Sequence, residues 1–239
     1  MRKFYQHLNL TEPISLLPTS TDNVLKLLEE INPSKATGLD NIAGKFLKDG
    51  AIALAEPITE LCDLSILQSK FPEGCKQAKL KPLFKKGSKD DPKNYRPISL
   101  LPQLSKIIEK IIHGQVQKYL DEKKILYRYQ SAFRAHHSTD TCLSYLSDKI
   151  LQGFEAKMFT GMILIDLQKA FETIDHKIFL DKMACLGFSK STTLWFKSYL
   201  QDQSFTVNIE KEHSKSWKFI MRGSSGVNSW STHISSLRE

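Results

Sequence analysis

The chain has 239 residues, 41% of them hydrophobic and 25% charged, enough to bury one core or two small subdomains sharing it. This ordinary globular composition excludes wholesale disorder, a collagen-like repeat and a disulfide-dense mini-scaffold. Lys and Arg total 34 against 26 Asp and Glu, a net charge of +8, and the longest purely aliphatic run, residues 162–165, is far too short to span a bilayer.

Residues 1–20 show little periodicity and are expected to form a loosely ordered lead-in, with no secretory leader in their basic start. Thr21 or Asp22 is placed to cap a helix with apolar positions Val24, Leu27, Leu28 and Ile31, ended by Asn32-Pro33. Residues 34–48 read as loop with a short helix. Ile52, Leu54, Ile58, Leu61, Leu64, Ile66 and Leu67 then predict a long helix, entered or kinked at Pro57. Residues 71–99 contain four prolines and two glycines, which favour a basic hairpin or extended loop over helix. Leu104, Ile107, Ile108, Ile111, Ile112, Val116, Tyr119 and Leu120 fall on one helical face. A further helix is expected from a Ser138 cap. Residues 159–167 (FTGMILIDL) are short, continuous and apolar, and predict a buried strand. Two helices around 176–186 and 190–201 follow, and then QSFTVNIE and SWKFIM as two arms of a hairpin. The sum is an α+β protein.

Two features point to chemistry. The positive charge is concentrated: residues 70–96 hold nine basic side chains (Lys70, Lys76, Lys79, Lys81, Lys85, Lys86, Lys89, Lys93, Arg96) against Glu73, Asp90 and Asp91, so six of the eight net charges lie there. So local a cluster is a footprint for polyanions, or else a solvated charged loop. The second feature is Asp166 at the end of an apolar strand, where a carboxylate needs a cationic partner or a metal. Cys62, Cys75, Cys142 and Cys185 form no CxxC pair, which fits free thiols in a reducing compartment, cytoplasm or nucleus.

Several segments share one resemblance. ILIDLQKAFETIDHKIFLDKM (163–183) resembles the first catalytic motif of reverse transcriptases of non-LTR, LINE-type, jockey-like retrotransposons. NYRPISLLPQLSKIIEKII (94–112), YQSAFRAHHSTDTCL (129–143), KATGLDNIAGKFLK (35–48), FPEGCKQAKLKPLFKKG (71–87) and LWFKSYLQDQSFTVNI (194–209) resemble other parts of that family, in order, over roughly residues 20–221. The resemblance implies a right-hand polymerase, with an N-terminal extension and fingers over 21–155 and a partial palm with an incomplete antiparallel sheet over 156–221. The family binds an RNA template, a DNA primer and a deoxynucleoside triphosphate, not a membrane, and uses two Mg²⁺ ions held by aspartates. By motif position Asp166 is the catalytic, metal-binding carboxylate, the Leu167 backbone lies beside the nucleotide, and Phe171 is the aromatic gate against a 2′-hydroxyl or a plain core residue. Lys85 and Arg96 fall where the family reaches the triphosphate. Lys79, Lys81, Lys86 and Arg134 fall where template or primer backbone would lie. Asp175-His176 matches a structural feature of the family.

Glu172, Ala132 and Cys75 stand where the family has Asp, Gly and Trp. Ala132 is expected to strain a turn that needs positive φ. The family's second catalytic element, aromatic-Ala-Asp-Asp, has no counterpart here, because the one Asp-Asp is Asp90-Asp91, followed by Pro92 in the basic segment. The tail offers an explanation. Residues 222–236 can be back-translated so that the next reading frame spells GVPQGSILGPLIFL, a stretch typical of the family. Residues 222–239 are therefore expected to be out of frame and disordered, and the chain to be a truncated, inactive polymerase that binds nucleic acid weakly. A non-catalytic nucleic-acid-binding module using residues 70–96 and a translated relic without function are the other readings.

Overall fold

A computed structural model describes residues 13–166, 174–209 and 212–218. Helices α1 (Thr21–Glu29), α2 (Gly44–Asp49) and α3 (Ala51–Leu67) precede strands β1 (Gln77–Phe84) and β2 (Tyr95–Leu100). Then come α4 (Gln103–Glu122), α5 (Thr139–Glu155), α6 (His176–Cys185), α7 (Lys190–Leu200), β3 (Ser204–Ile209), β4 (Glu212–His213) and β5 (Trp217–Lys218). The architecture is mixed: a helical body with a small sheet of order β2-β1-β3-β4, β5 also pairing with β3. The β1–β2 pair is an antiparallel hairpin, β3 meets β5 antiparallel as the two-armed pattern predicts, and β4, which lies between those arms, also pairs antiparallel with β3. The parallel pairing of β1 with β3 is not foreseen by that pattern. No helix among the described residues is long and apolar enough to cross a membrane.

The helices follow their local chemistry closely. The apolar stripe of α4 buries Ile107, Ile108, Ile111, Ile112 and Tyr119. Ser138 caps α5 in a capping box with Thr141, and Asp175 caps α6 by accepting from the Ile178 amide at 3.0 Å. Asp175 is thus a structural residue. The α1 cap is Ser20, one residue before the expected pair: its hydroxyl accepts from the Asn23 amide at 3.2 Å, because Ser20 itself has the extended backbone that a cap needs. Helix α3 starts at Ala51 and runs on through Pro57. The proline lies on an exposed face, where water can serve the carbonyl that loses its donor.

Three aromatic rings join the helices. Trp195 and Tyr199 on α7 stack with centroids 5.7 Å apart and planes 5° apart, and Phe71 meets both edge-on at 5.5 and 4.8 Å. Their polar ends are satisfied. Trp195 Nε1 donates to Ser65 Oγ at 2.9 Å, which donates to the Lys70 carbonyl at 2.8 Å. Tyr199 donates to Glu109 Oε1 at 2.9 Å, and burial, then the Glu109 charge, hold its phenol well above the usual range. Gly38 is also fixed by packing: a Cβ there would come within 2.7 Å of the Pro102 nitrogen and 2.9 Å of the Leu101 carbonyl carbon.

Two segments differ from expectation. Of the lead-in, residues 13–20 are tied down. Ile14 bridges Phe188, its amide donates to the Gly187 carbonyl at 2.8 Å and its carbonyl accepts from Ser189 at 2.9 Å. Leu17 exchanges two 2.8 Å hydrogen bonds with the Gln115 amide, and Asp63 accepts from the Thr19 amide at 2.8 Å. These partners lie about 45 to 175 residues away, so local sequence does not announce them. The predicted buried strand is the other difference. Its described part, residues 159–166, is irregular and exposed, with Phe159 fully open and Ile163, Leu164 and Ile165 each more than four-fifths exposed. A strand takes its hydrogen bonds from neighbours, and no described strand pairs with this run.

Replacing Trp195 by Ala is expected to cost about 3–5 kcal/mol in urea unfolding, while Trp195→Phe, which keeps a ring and loses the bond to Ser65, costs nearer 1–3 kcal/mol. The cysteines give a second test. Among the described residues all four are free. Burial, reinforced by Asp63, pushes the Cys62 thiol up to about 12, and burial, reinforced by Glu109, Asp40 and Cys62, pushes Cys75 up to about 12. The exposed Cys142 should react with a thiol reagent at pH 8, whereas Cys62 and Cys75 should react only on unfolding. Above pH 9 the unfolded chain sheds thiol protons that the folded chain keeps. Stability should therefore fall as pH climbs from about 9 to 12.

Candidate nucleic-acid interface

The β1–β2 hairpin sorts side chains by strand alternation. Residues directly opposite across the pair share a face, and the register sets Lys79 against Leu100, Lys81 against Ile98 and Leu83 against Arg96. The Lys85 amide donates to the Asn94 carbonyl at 2.8 Å, so the ladder continues one step past Phe84 and brings Lys85 to the same face. Lys79, Lys81, Lys85 and Arg96 thus line one side of the sheet. The other side carries Ala78, Leu80 and Ser99, all buried. Lysines two residues apart on such a strand are roughly 7 Å apart. The buried side anchors the hairpin; on the basic side Lys79 is half-buried, and Lys81, Lys85 and Arg96 are exposed.

The parallel partner enlarges this face. Lys79 pairs with Thr206 and Gln77 with Ser204, and Ser204 pairs with Lys218. Lys218, exposed on β5, therefore joins the basic side with Ser204 and Thr206 as hydroxyl neighbours. Residues 70–96 alone do not reveal it, because the signal is a sheet contact between distant segments.

The tip of the hairpin has its own geometry. Gly87 takes φ +94°, where an added Cβ would strike the Asn94 side chain. Asn94 Nδ2 donates to the Ser88 carbonyl at 2.8 Å, the Tyr95 hydroxyl donates to the Lys89 carbonyl at 2.9 Å, and Tyr95 packs on Phe84 at 5.4 Å. Lys86 is exposed beside this turn. Asp90 and Asp91 lie within it, exposed, with the Asp90 amide bonded to Ser88 Oγ at 3.2 Å.

Other residues singled out by sequence lie apart from this face. Lys76 is 3% exposed and ion-paired with Glu73 at 3.1 Å, which withdraws it from any outward footprint. Arg134 sits in the loop between α4 and α5, where one guanidinium nitrogen donates to the Tyr127 and Gln130 carbonyls at 3.3 and 3.4 Å. Ala132 avoids the expected strain, since positive φ falls on Phe133 and His136 instead. Cys75 is buried in the core. Asp166 is exposed in the irregular run rather than at a strand end, and Leu167, Phe171 and Glu172 lie outside the described residues. Among the described residues no group of three or more His, Cys, Asp or Glu is gathered to hold a metal ion, so what is described does not fit a two-ion centre.

Residues 84–229 match the family model described as reverse transcriptase (RNA-dependent DNA polymerase). The chain is 30% identical over 214 residues to a probable RNA-directed DNA polymerase from transposon BS of Drosophila melanogaster, covering 87% of this chain and 23% of that protein. It is also 30% identical over 211 residues to the RNA-directed DNA polymerase from mobile element jockey of Drosophila funebris, covering 86% and 22%. A third relative, the Pol polyprotein from type-1 retrotransposable element R1 of Bradysia coprophila, is 31% identical over 158 residues, covering 64% and 15%. The chain spans less than a quarter of the length of these relatives. With more than half of its residues matched to the family, the chain belongs to the reverse transcriptases, in the branch carried by non-LTR, LINE-type retrotransposons.

Proposed function

We propose that this stretch of chain supplies the nucleic-acid-holding part of an RNA-directed DNA polymerase, and that it binds template and primer without performing nucleotidyl transfer by itself. The observation that carries the reading is the register that gathers Lys79, Lys81, Lys85 and Arg96 on one sheet face, Lys79 half-buried and the other three exposed. Strand alternation and the buried opposite side hold these cations at fixed spacing. A flexible lysine run would have to lose that freedom on binding. Phosphate oxygens are the complementary ligand. Arg96 suits a bidentate contact with the incoming triphosphate, Lys85 stands two ladder steps from the Leu83–Arg96 pair on the same face, and Lys79 and Lys81 suit the polynucleotide backbone. In family terms the hairpin belongs to the fingers and residues 156–221 to the palm.

In the family, paired Mg²⁺ ions activate the primer hydroxyl and stabilise the leaving pyrophosphate. Asp166 is the residue here that matches a ligand of those ions. Two ions need several carboxylate oxygens, and the one Asp-Asp of the sequence is spent in the hairpin turn. A polypeptide of this sequence is therefore expected to give no primer extension on an RNA template with Mg²⁺ or Mn²⁺. Incorporation that vanishes in Asp166→Asn would overturn that expectation.

Binding is the positive test. Affinity for RNA should fall steeply with salt, and changing Lys79, Lys81, Lys85 and Lys86 together to Gln should make the log–log slope shallower by about 0.7 to 0.9 for each phosphate no longer neutralised. Unchanged affinity and slope would remove the hairpin from the interface.

A further inference from the structure

A second cationic feature lies outside the hairpin. Residues 123–137, joining α4 to α5, contain Lys123, Lys124, Arg128 and Arg134, two histidines and no acid. Within and beside this loop three tyrosines are exposed: Tyr127 by 68%, Tyr129 by 46% and Tyr145, on α5, by 44%. Their rings form a chain, with Tyr127 and Tyr129 centroids 5.5 Å apart and Tyr129 and Tyr145 5.3 Å apart, inclined by 38°. Each of the last two carries a cation. The Arg128 guanidinium lies 4.6 Å from the Tyr129 ring centre, and the Lys149 ammonium lies 5.7 Å from that of Tyr145.

Two independent braces set these rings. Arg134 donates to the Tyr127 and Gln130 carbonyls, and the Gln130 amide donates to the Tyr127 carbonyl at 2.9 Å, which closes the loop beneath Tyr127 and Tyr129. The Ser138–Thr141 capping box starts the helix that carries Tyr145. Exposed rings in a row, interleaved with cations and free of acids nearby in the loop, match what an unpaired polynucleotide presents: flat base faces joined by phosphates. Paired bases in a duplex have their faces covered by neighbours.

We propose that Tyr129 and Tyr145, with Tyr127 and Arg128, form a stacking platform for single-stranded nucleic acid. Bases lie against the tyrosine rings, and Arg128, Lys149 and the Lys123–Lys124 pair meet the phosphates. The rings accept any base, so the platform holds a strand without reading its sequence. This extends the nucleic-acid reading of the hairpin but stands on different residues.

The test measures fluorescence anisotropy of a labelled oligouridine strand and of a labelled RNA duplex with the full chain. Tyr129→Ala and Tyr145→Ala should each weaken oligouridine binding by about 5- to 150-fold, with an unaltered salt slope and unaltered duplex binding. Tyr129→Phe should bind within about twofold of the parent, because the ring and not the hydroxyl does the stacking. Arg128→Gln should make the salt slope shallower by roughly 0.7. Since the tyrosines are exposed, thermal unfolding of the Ala variants should match the parent. Should it not, the Phe and Gln variants still decide the matter. Ala variants that bind oligouridine like the parent, or that lose single strand and duplex equally, would overturn the platform. The quadruple hairpin variant separates the two readings. If it alone loses binding, the platform fails and the hairpin interface stands; if the tyrosine variants alone lose it, the reverse holds.

Discussion

The seating of Trp195 is the constraint from which the rest of the architecture follows. Its ring lies on Tyr199, Phe71 closes it from the edge, and the three come from α7 and from the segment just beyond α3. Buried aromatic surface supplies the bulk of the attraction, and the edge-on geometry adds direction. Direction also comes from the polar ends. Ser65 receives the indole N–H and Glu109 receives the Tyr199 hydroxyl, so α3 and α4 are bound to α7 by groups that would be costly to leave unpaired. Both sheet strands that pair in parallel leave from this cluster, β1 at Gln77 shortly after Phe71 and β3 at Ser204 shortly after Leu200. The helical core therefore fixes where the two strands meet, and their meeting orients the basic face.

Electrostatics then follow from register rather than from composition. The lysine-rich segment looks uniform when written out, yet the fold divides it. Lys76 turns inward to Glu73 and leaves the surface, while Lys79, Lys81 and Lys85 alternate onto one side with Arg96 beside them. Lys218, from the far end of the described chain, is added by β5. The loop between α4 and α5 follows another logic. There a guanidinium is used to shape the backbone, and the neighbouring rings are left in water with cations against them.

How far the sequence speaks for the fold depends on the range of the interactions. The helix α4 was legible because its stripe of isoleucines repeats within a few residues, and the Ser138 cap because capping is settled within one turn. That residues 71–99 are not helical was legible from their prolines and glycines, whereas the choice between hairpin and extended loop is made by the pairing of β1 with β2. The strap of residues 13–20 was not, since its partners Gly187, Gln115 and Asp63 lie far along the chain. Nor was the state of residues 159–166: a run of Ile and Leu has strand propensity, but propensity supplies no partner for its amides. The candidate site divides the same way. Lys79, Lys81, Lys85 and Arg96 could be named in advance, whereas their shared side, the contribution of Lys218 and the row of tyrosines arise only where strands and loops distant in sequence meet.

The parallel ladder between β1 and β3 has a kinetic meaning. It joins residues 77–80 to residues 204–207, so the loop it closes is just over half of the chain. On a ribosome making about 5–20 residues each second, the β1–β2 hairpin emerges several seconds before its parallel neighbour. A lone two-stranded hairpin is marginal in water, so β1 and β2 gain lasting support only when the last part of the fold arrives to close the parallel ladder.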